Sequence, residues 1–112
     1  KVERGKRALR EALAAATKPD RLIETLLATL SDRSVAEDRA LPSTGISREW
    51  EKLLSAAFIG APGYGTRAST VLLVDHGGEV YFRERSFGEH GEWIDDRRYR
   101  FALAQDPIPA AD

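Results

Sequence analysis

The sequence predicts an α+β fold in which an N-terminal αα-hairpin and a third helix are followed by a three-stranded antiparallel β-meander. Three observations carry that prediction. Apolar residues recur at helical spacing through the first thirty residues and again from Trp50 to Phe58. From Thr66 onward the period falls to two, the spacing of a strand. Between the two resulting strands stands Asp75-His76-Gly77-Gly78-Glu79, rich in the residue that hairpin turns need.

Val2 to Ala16 forms the first predicted helix, with Leu9, Ala12, Leu13 and Ala16 on one stripe. Glu3 with Arg7, and Arg7 with Glu11, are opposite charges at i,i+4 on its outer side. The interleaved glutamates make this a solvated face, not a basic surface for nucleic acid or membrane. Thr17-Lys18-Pro19-Asp20 ends that helix and opens a second, about 19–31, because proline fits a first helical turn and an acidic group suits the helix dipole there. Leu22, Ile23, Leu26, Leu27 and Leu30 give it a wide apolar stripe, so the two helices should pack on each other, with Leu9 and Leu13 buried against Leu22, Leu26 and Leu30. Ser31 to Ile46 has no sustained period and reads as a long loop. Ser47 is a candidate N-cap for a third helix, about 47–58, with Trp50, Leu53, Leu54, Ala57 and Phe58 turned inward.

Gly60 to Gly65 precedes a strand. Phosphate-cradling loops run the other way, from strand into helix, so these glycines are read as a tight turn into the sheet. The first strand, about 66–75, sets Ala68, Thr70, Leu72 and Val74 on one face and Arg67, Ser69, Val71 and Leu73 on the other. Both faces are apolar from Thr70 to Val74, which predicts cover on both sides. The second strand, about 79–87, alternates Val80 and Phe82 with Tyr81, Arg83 and Arg85, the pattern of a less buried neighbour. After a polar loop holding His90 and Trp93, the third strand, about 97–104, sets Tyr99, Phe101 and Leu103 opposite Arg98 and Arg100. Residues 1–104 thus form one unit, and 105–112, small, polar and proline-containing, read as a flexible tail.

At 112 residues the chain has room for one small domain. A net charge of −1 gives no electrostatic reason for nucleic acid or an anionic membrane as partner. There is no cysteine, which removes disulfides, thiolate metal sites and a cysteine nucleophile from these residues. No run approaches a membrane span, and the composition fits a cytoplasmic setting. His76 and His90 have no second ligand at i+3 or i+4, so no metal site is expected, and nothing calls for a cofactor. Ser69, His76 and Asp75 spell a triad on paper, but hairpin neighbours do not enforce its geometry and no nucleophile elbow is present. Arg67 stands out: after a glycine loop and before an apolar strand, it must reach water or meet an anion. It is read either as pairing with a nearby carboxylate or as facing an anion at a pocket mouth.

LLSAAFIGAPGYGTRASTVLLVDHGGEVYFRERSFG, followed by DDRRYRFAL, resembles the C-terminal end of the NRDE family, also called the transport-and-Golgi-organisation protein two family. GYGTR followed at fixed spacing by STVLLVD is its most specific part, and KVERGKRALREAL is similar to the family segment after its Gly-Leu-Ser-Asn motif. The resemblance spans about residues 1–104. It implies a C-terminal piece of an αββα fold like that of N-terminal-nucleophile hydrolases, with the nucleophile outside this chain and no catalytic residue within it. By the same resemblance Arg67, with its neighbours Tyr64, Thr66 and Ser69, would contact a ligand. An amide or acyl hydrolase, a non-catalytic carrier of haem or acyl lipid, and a purely structural or dimerising segment are the implied functions. The implied partner is the N-terminal part of a parent protein or a second copy in a homodimer. Gly60 departs from the family pattern, where a bulkier or charged residue is expected.

Overall fold

The computed structural model describes residues 1–15 and 18–104. The expected helical position of Ala16, the turn residue Thr17 and the tail from 105 lie outside the described residues. Helix α1 spans Val2–Ala15 and α2 spans Pro19–Leu30, with Pro19 at the start of its first turn as its fixed φ favours. A single 3₁₀ turn, Asp38–Ala40, interrupts the loop that follows. Helix α3 covers only Arg48–Leu53. The Ser47 hydroxyl caps it by accepting from the Trp50 amide at 3.2 Å. The expected third helix is therefore cut short. Beyond Leu54 the chain turns back so that the Phe58 amide donates to the Asp32 carbonyl at 2.8 Å, tying it to the end of α2.

The glycine loop is itself a small hairpin, β1 (Gly60–Ala61) against β2 (Tyr64–Gly65), turning at Gly63 with φ +69°. The main sheet follows as β3 (Ala68–Val74), β4 (Glu79–Phe87) and β5 (Trp93–Ala102), antiparallel and in the order β3-β4-β5. The predicted meander is present, and its third strand begins earlier than expected, taking in Trp93 and Asp96. At the β3–β4 turn the Asp75 carboxylate accepts the Gly77 and Glu79 amides, each at 2.9 Å, while Gly78 takes φ +83°.

Register separates the sheet into two faces. Ser69, Val71 and Leu73 align with Arg85, Arg83 and Tyr81, and these with Asp96, Arg98 and Arg100. This face lies under α2, where Ile23, Leu27 and Val71 form the core with Leu26, Leu30, Leu73 and Tyr81 packed around them. On the other face Thr70, Leu72 and Val74 align with Glu84, Phe82 and Val80, then with Arg97, Tyr99 and Phe101. Leu72 is 60% exposed there and Phe101 51%. The described residues thus cover one side of β3, not both. Nor is β4 the less buried neighbour expected: none of its residues is fully exposed, and Arg83 is buried with Val80 because it meets carboxylates beneath α2.

Helix α1 departs from its expected packing as well. Ala12 is its buried residue, and Gly5 and Ala8 line a groove between α1 and α2. Leu9 and Leu13 are about half exposed. Ala12, rather than the leucines, is what this helix buries.

Candidate functional site

Arg67 sits where the β1–β2 hairpin hands over to β3, at the Ala68 end of the sheet. Its carbonyl accepts the Phe87 amide at 2.8 Å, which holds the backbone between β3 and the end of β4. Its side chain makes no ion pair among the described residues. Instead it lines an open depression of about 560 Å³ with Gly63, Tyr64, Gly65, Thr66, Gly88 and Glu89. Of the four residues singled out in the sequence, Arg67, Tyr64 and Thr66 share this depression. Ser69 does not: it is buried on the helix side of β3.

Thr66 shapes the depression more than it offers chemistry. Its amide donates to the Ile59 carbonyl at 2.8 Å, and its hydroxyl accepts the Ile59 amide at 2.9 Å. This reciprocal pair closes the small hairpin. Gly65 is required by the same closure, since a Cβ there would stand 2.6 Å from the Ile59 carbonyl oxygen. Tyr64 packs edge-on against Trp50 with ring centroids 5.8 Å apart, which ties the hairpin to α3.

A second, adjoining depression of about 480 Å³ shares Gly63 and Glu89 and adds Arg33, Gly60 and His90. Arg33 was not anticipated. Its guanidinium lies over the Phe58 ring at 4.5 Å and passes between Gly60 and Gly91. A Cβ on Gly60 would meet its Nη1 at 3.0 Å. Gly60 therefore leaves the room that Arg33 occupies. The two glycines were the available signal, but their joint meaning needed the fold to bring residues 33, 60 and 91 together. The Glu92 carboxyl next to this turn is held below the usual glutamate range, chiefly by a backbone hydrogen bond at its own residue and also by accepting the His90 amide at 2.9 Å.

The strongest electrostatic cluster lies elsewhere, under α2. Arg83, almost wholly buried, donates from Nε and Nη2 to Asp96 at 3.0 and 2.9 Å and from Nη1 to Glu24 at 2.8 Å. Arg85 reaches the same two carboxylates, and its guanidinium stacks over Trp93 at 4.4 Å. Hydrogen bonds from Arg83 hold the Asp96 carboxyl below the ordinary aspartate range, and Asp96 in turn raises Arg83. These groups satisfy one another, so the cluster fastens α2 to β4 and β5 and leaves no free functional group. Among the described residues no group of three or more metal-ligating side chains converges, and no helix is long and apolar enough to cross a membrane.

The architecture is that of a helix-backed antiparallel sheet, one layer on one face, with a glycine hairpin and two arginines at one end. A family model described as Transport and Golgi organisation 2 matches residues 1–89, closing in the turn before β5. The chain belongs to that family. The Transport and Golgi organization protein 2 homolog of Bos taurus is 41% identical over 90 residues, covering 76% of this chain and 29% of the relative. That of Homo sapiens is 36% identical over 89 residues, covering 71% of this chain and 32% of the relative. The matched region spans about three-tenths of each relative's length.

Proposed function

We propose that this chain is the helix-and-sheet half of a layered protein, whose open sheet face packs on a second sheet supplied by the rest of the family polypeptide. One observation carries the reading: Leu72 and Val74 of β3 and Tyr99 and Phe101 of β5, each more than half exposed, lie on one face of the sheet on either side of Phe82 and Val80 of β4. Two sheets packed face to face bury such side chains in a core about 10 Å thick. In this reading Arg67, at one end of the sheet, presents its guanidinium to an anionic group of a substrate, and the nucleophile of an amide or acyl hydrolysis comes from outside these residues. Assaying a full-length family protein on simple amides and thioesters tests it, with Arg67→Ala expected to raise KM at least about tenfold for carboxylate-bearing substrates. Equal loss for neutral and anionic substrates would sink the anion-facing role.

A second reading draws on the same aromatic-rich face, which offers Phe82, Tyr99 and Phe101 to a flat apolar ligand. A non-catalytic carrier of haem or an acyl lipid would fill it. Titrating haem or a fluorescent acyl chain into the full-length protein separates the two, since a face already covered by a second sheet takes up neither.

A further inference from the structure

Arg33 is held at both its base and its tip. At the base, the Phe58 amide donates to the Asp32 carbonyl at 2.8 Å, which brings the Phe58 ring beside the residue that follows Asp32. The Asp32 carboxylate also accepts the Ser34 amide at 2.8 Å and so turns the chain around Arg33. At the tip, the guanidinium lies 4.5 Å over the Phe58 ring, and that ring is buried and braced edge-on by Phe87. Two glycines make way for the head group. A Cβ would stand 3.0 Å from Nη1 at Gly60 and 2.5 Å from Nη2 at Gly91.

The buried arginines of this chain direct their N–H groups to carboxylates, as Arg83 and Arg85 do with Glu24 and Asp96. Arg33 makes no ion pair or hydrogen bond among the described residues, although two carboxylates are nearby. Glu89 lines the same depression of about 480 Å³, yet no ion pair joins it to Arg33. Glu92 is turned to the His90 amide, which donates to it at 2.9 Å. Stacking on Phe58 covers one flat face of the guanidinium and leaves its donors free, because they all lie in the plane of the group. Those donors border an open depression that His90 also lines.

We infer that this depression is an oxyanion subsite, in which the planar fork of Arg33 takes two oxygens of a phosphate or carboxylate group and His90 flanks that group. Fixing the guanidinium on Phe58 beforehand lowers the ordering cost of binding. The site goes beyond the role given to Arg67 and does not depend on it. The two depressions adjoin at Gly63 and Glu89, so a ligand with an anionic group at each end meets an arginine at each. Glu89 is the opposing charge at both and weakens the hold on any simple anion.

The test titrates inorganic phosphate, and separately acetate, into the 112-residue chain at low ionic strength. Heteronuclear NMR reads the Arg33 Nε–H and the amides of Gly60, His90 and Gly91. Saturable binding of either ion at these residues supports the site, and the tighter of the two identifies the anionic end of its ligand. Arg33→Ala should weaken that binding at least about tenfold. Arg33→Lys keeps the charge without the flat fork and should lose most of the affinity. Glu89→Gln, at an exposed position, should tighten binding; it serves where circular dichroism shows that an Arg33 variant is unfolded. Absence of saturation overturns the inference. Binding that Arg33→Lys leaves unchanged also overturns it, since that marks a general attraction of anions to cationic surface, and so does an affinity indifferent to Glu89→Gln. Shifts confined to Tyr64, Thr66 and Arg67 overturn it too, while leaving the Arg67 reading standing.

Discussion

Asp96 accepts from two arginines on β4 in a site mostly withdrawn from water, and its carboxyl titrates below the ordinary range because those donors favour the charged form. A depressed folded-state pKa contributes stability that is complete above the unfolded value, about pH 4, and is lost as pH falls through the folded one. Urea midpoints measured from pH 7 to pH 2.5 should therefore fall steeply at the acid end. Asp96→Asn should lower the midpoint at pH 7 and flatten that acid slope; an unchanged slope would mean that other carboxylates control acid unfolding. A second residue-scale outcome concerns Gly65, where backbone and not a flexible side chain blocks a Cβ. Gly65→Ala should cost roughly 1–3 kcal/mol in chemical denaturation, while Gly63→Ala is resisted by its positive φ instead. The sequence marked Arg67, Tyr64 and Thr66 as neighbours on one loop, and they do share a depression. It did not mark Arg33, nor Arg83 with Asp96 and Glu24, because a partner 13 or 59 residues away is set by register and helix placement, which composition does not encode.

At the scale of elements, the helical hairpin and the meander were legible because period 3.6 and period 2 are strong local signals. Two elements were not. Helix α3 stops at Leu53 although its apolar spacing runs on to Phe58, since the Phe58 amide is drawn to the Asp32 carbonyl and Phe58 itself to Phe87, edge-on at 4.8 Å. The β1–β2 hairpin has two residues per strand, too few for any periodicity to show. The amphipathic stripe of α2 was read correctly in kind, but its centre is Leu27, 1% exposed, with Leu26 at the margin. Leu27→Ala should cost about 2–5 kcal/mol, and Leu26→Ala distinctly less. Equal losses would place the sheet contact elsewhere on the helix.

For the whole molecule, the balance of covered and uncovered apolar surface decides how the isolated chain behaves. Its core rests on one helix over a three-stranded sheet, and the described residues extend 59 × 33 × 29 Å, elongated for so short a chain. Soluble monomers seldom expose an apolar patch as continuous as Leu72, Val74, Tyr99 and Phe101. Without a second sheet, two copies should bury that patch on each other around a two-fold axis, which makes the contact self-complementary. Light scattering at micromolar concentration should report a dimer, and Leu72→Lys combined with Tyr99→Lys should return it to monomer while circular dichroism stays the same. Charged side chains on an exposed face cost the monomer little, whereas in a sheet-on-sheet core they would be desolvated without partners. A wild-type chain that scatters as a monomer throughout that range would show that the face tolerates water, and the case for a missing second sheet would fall with it.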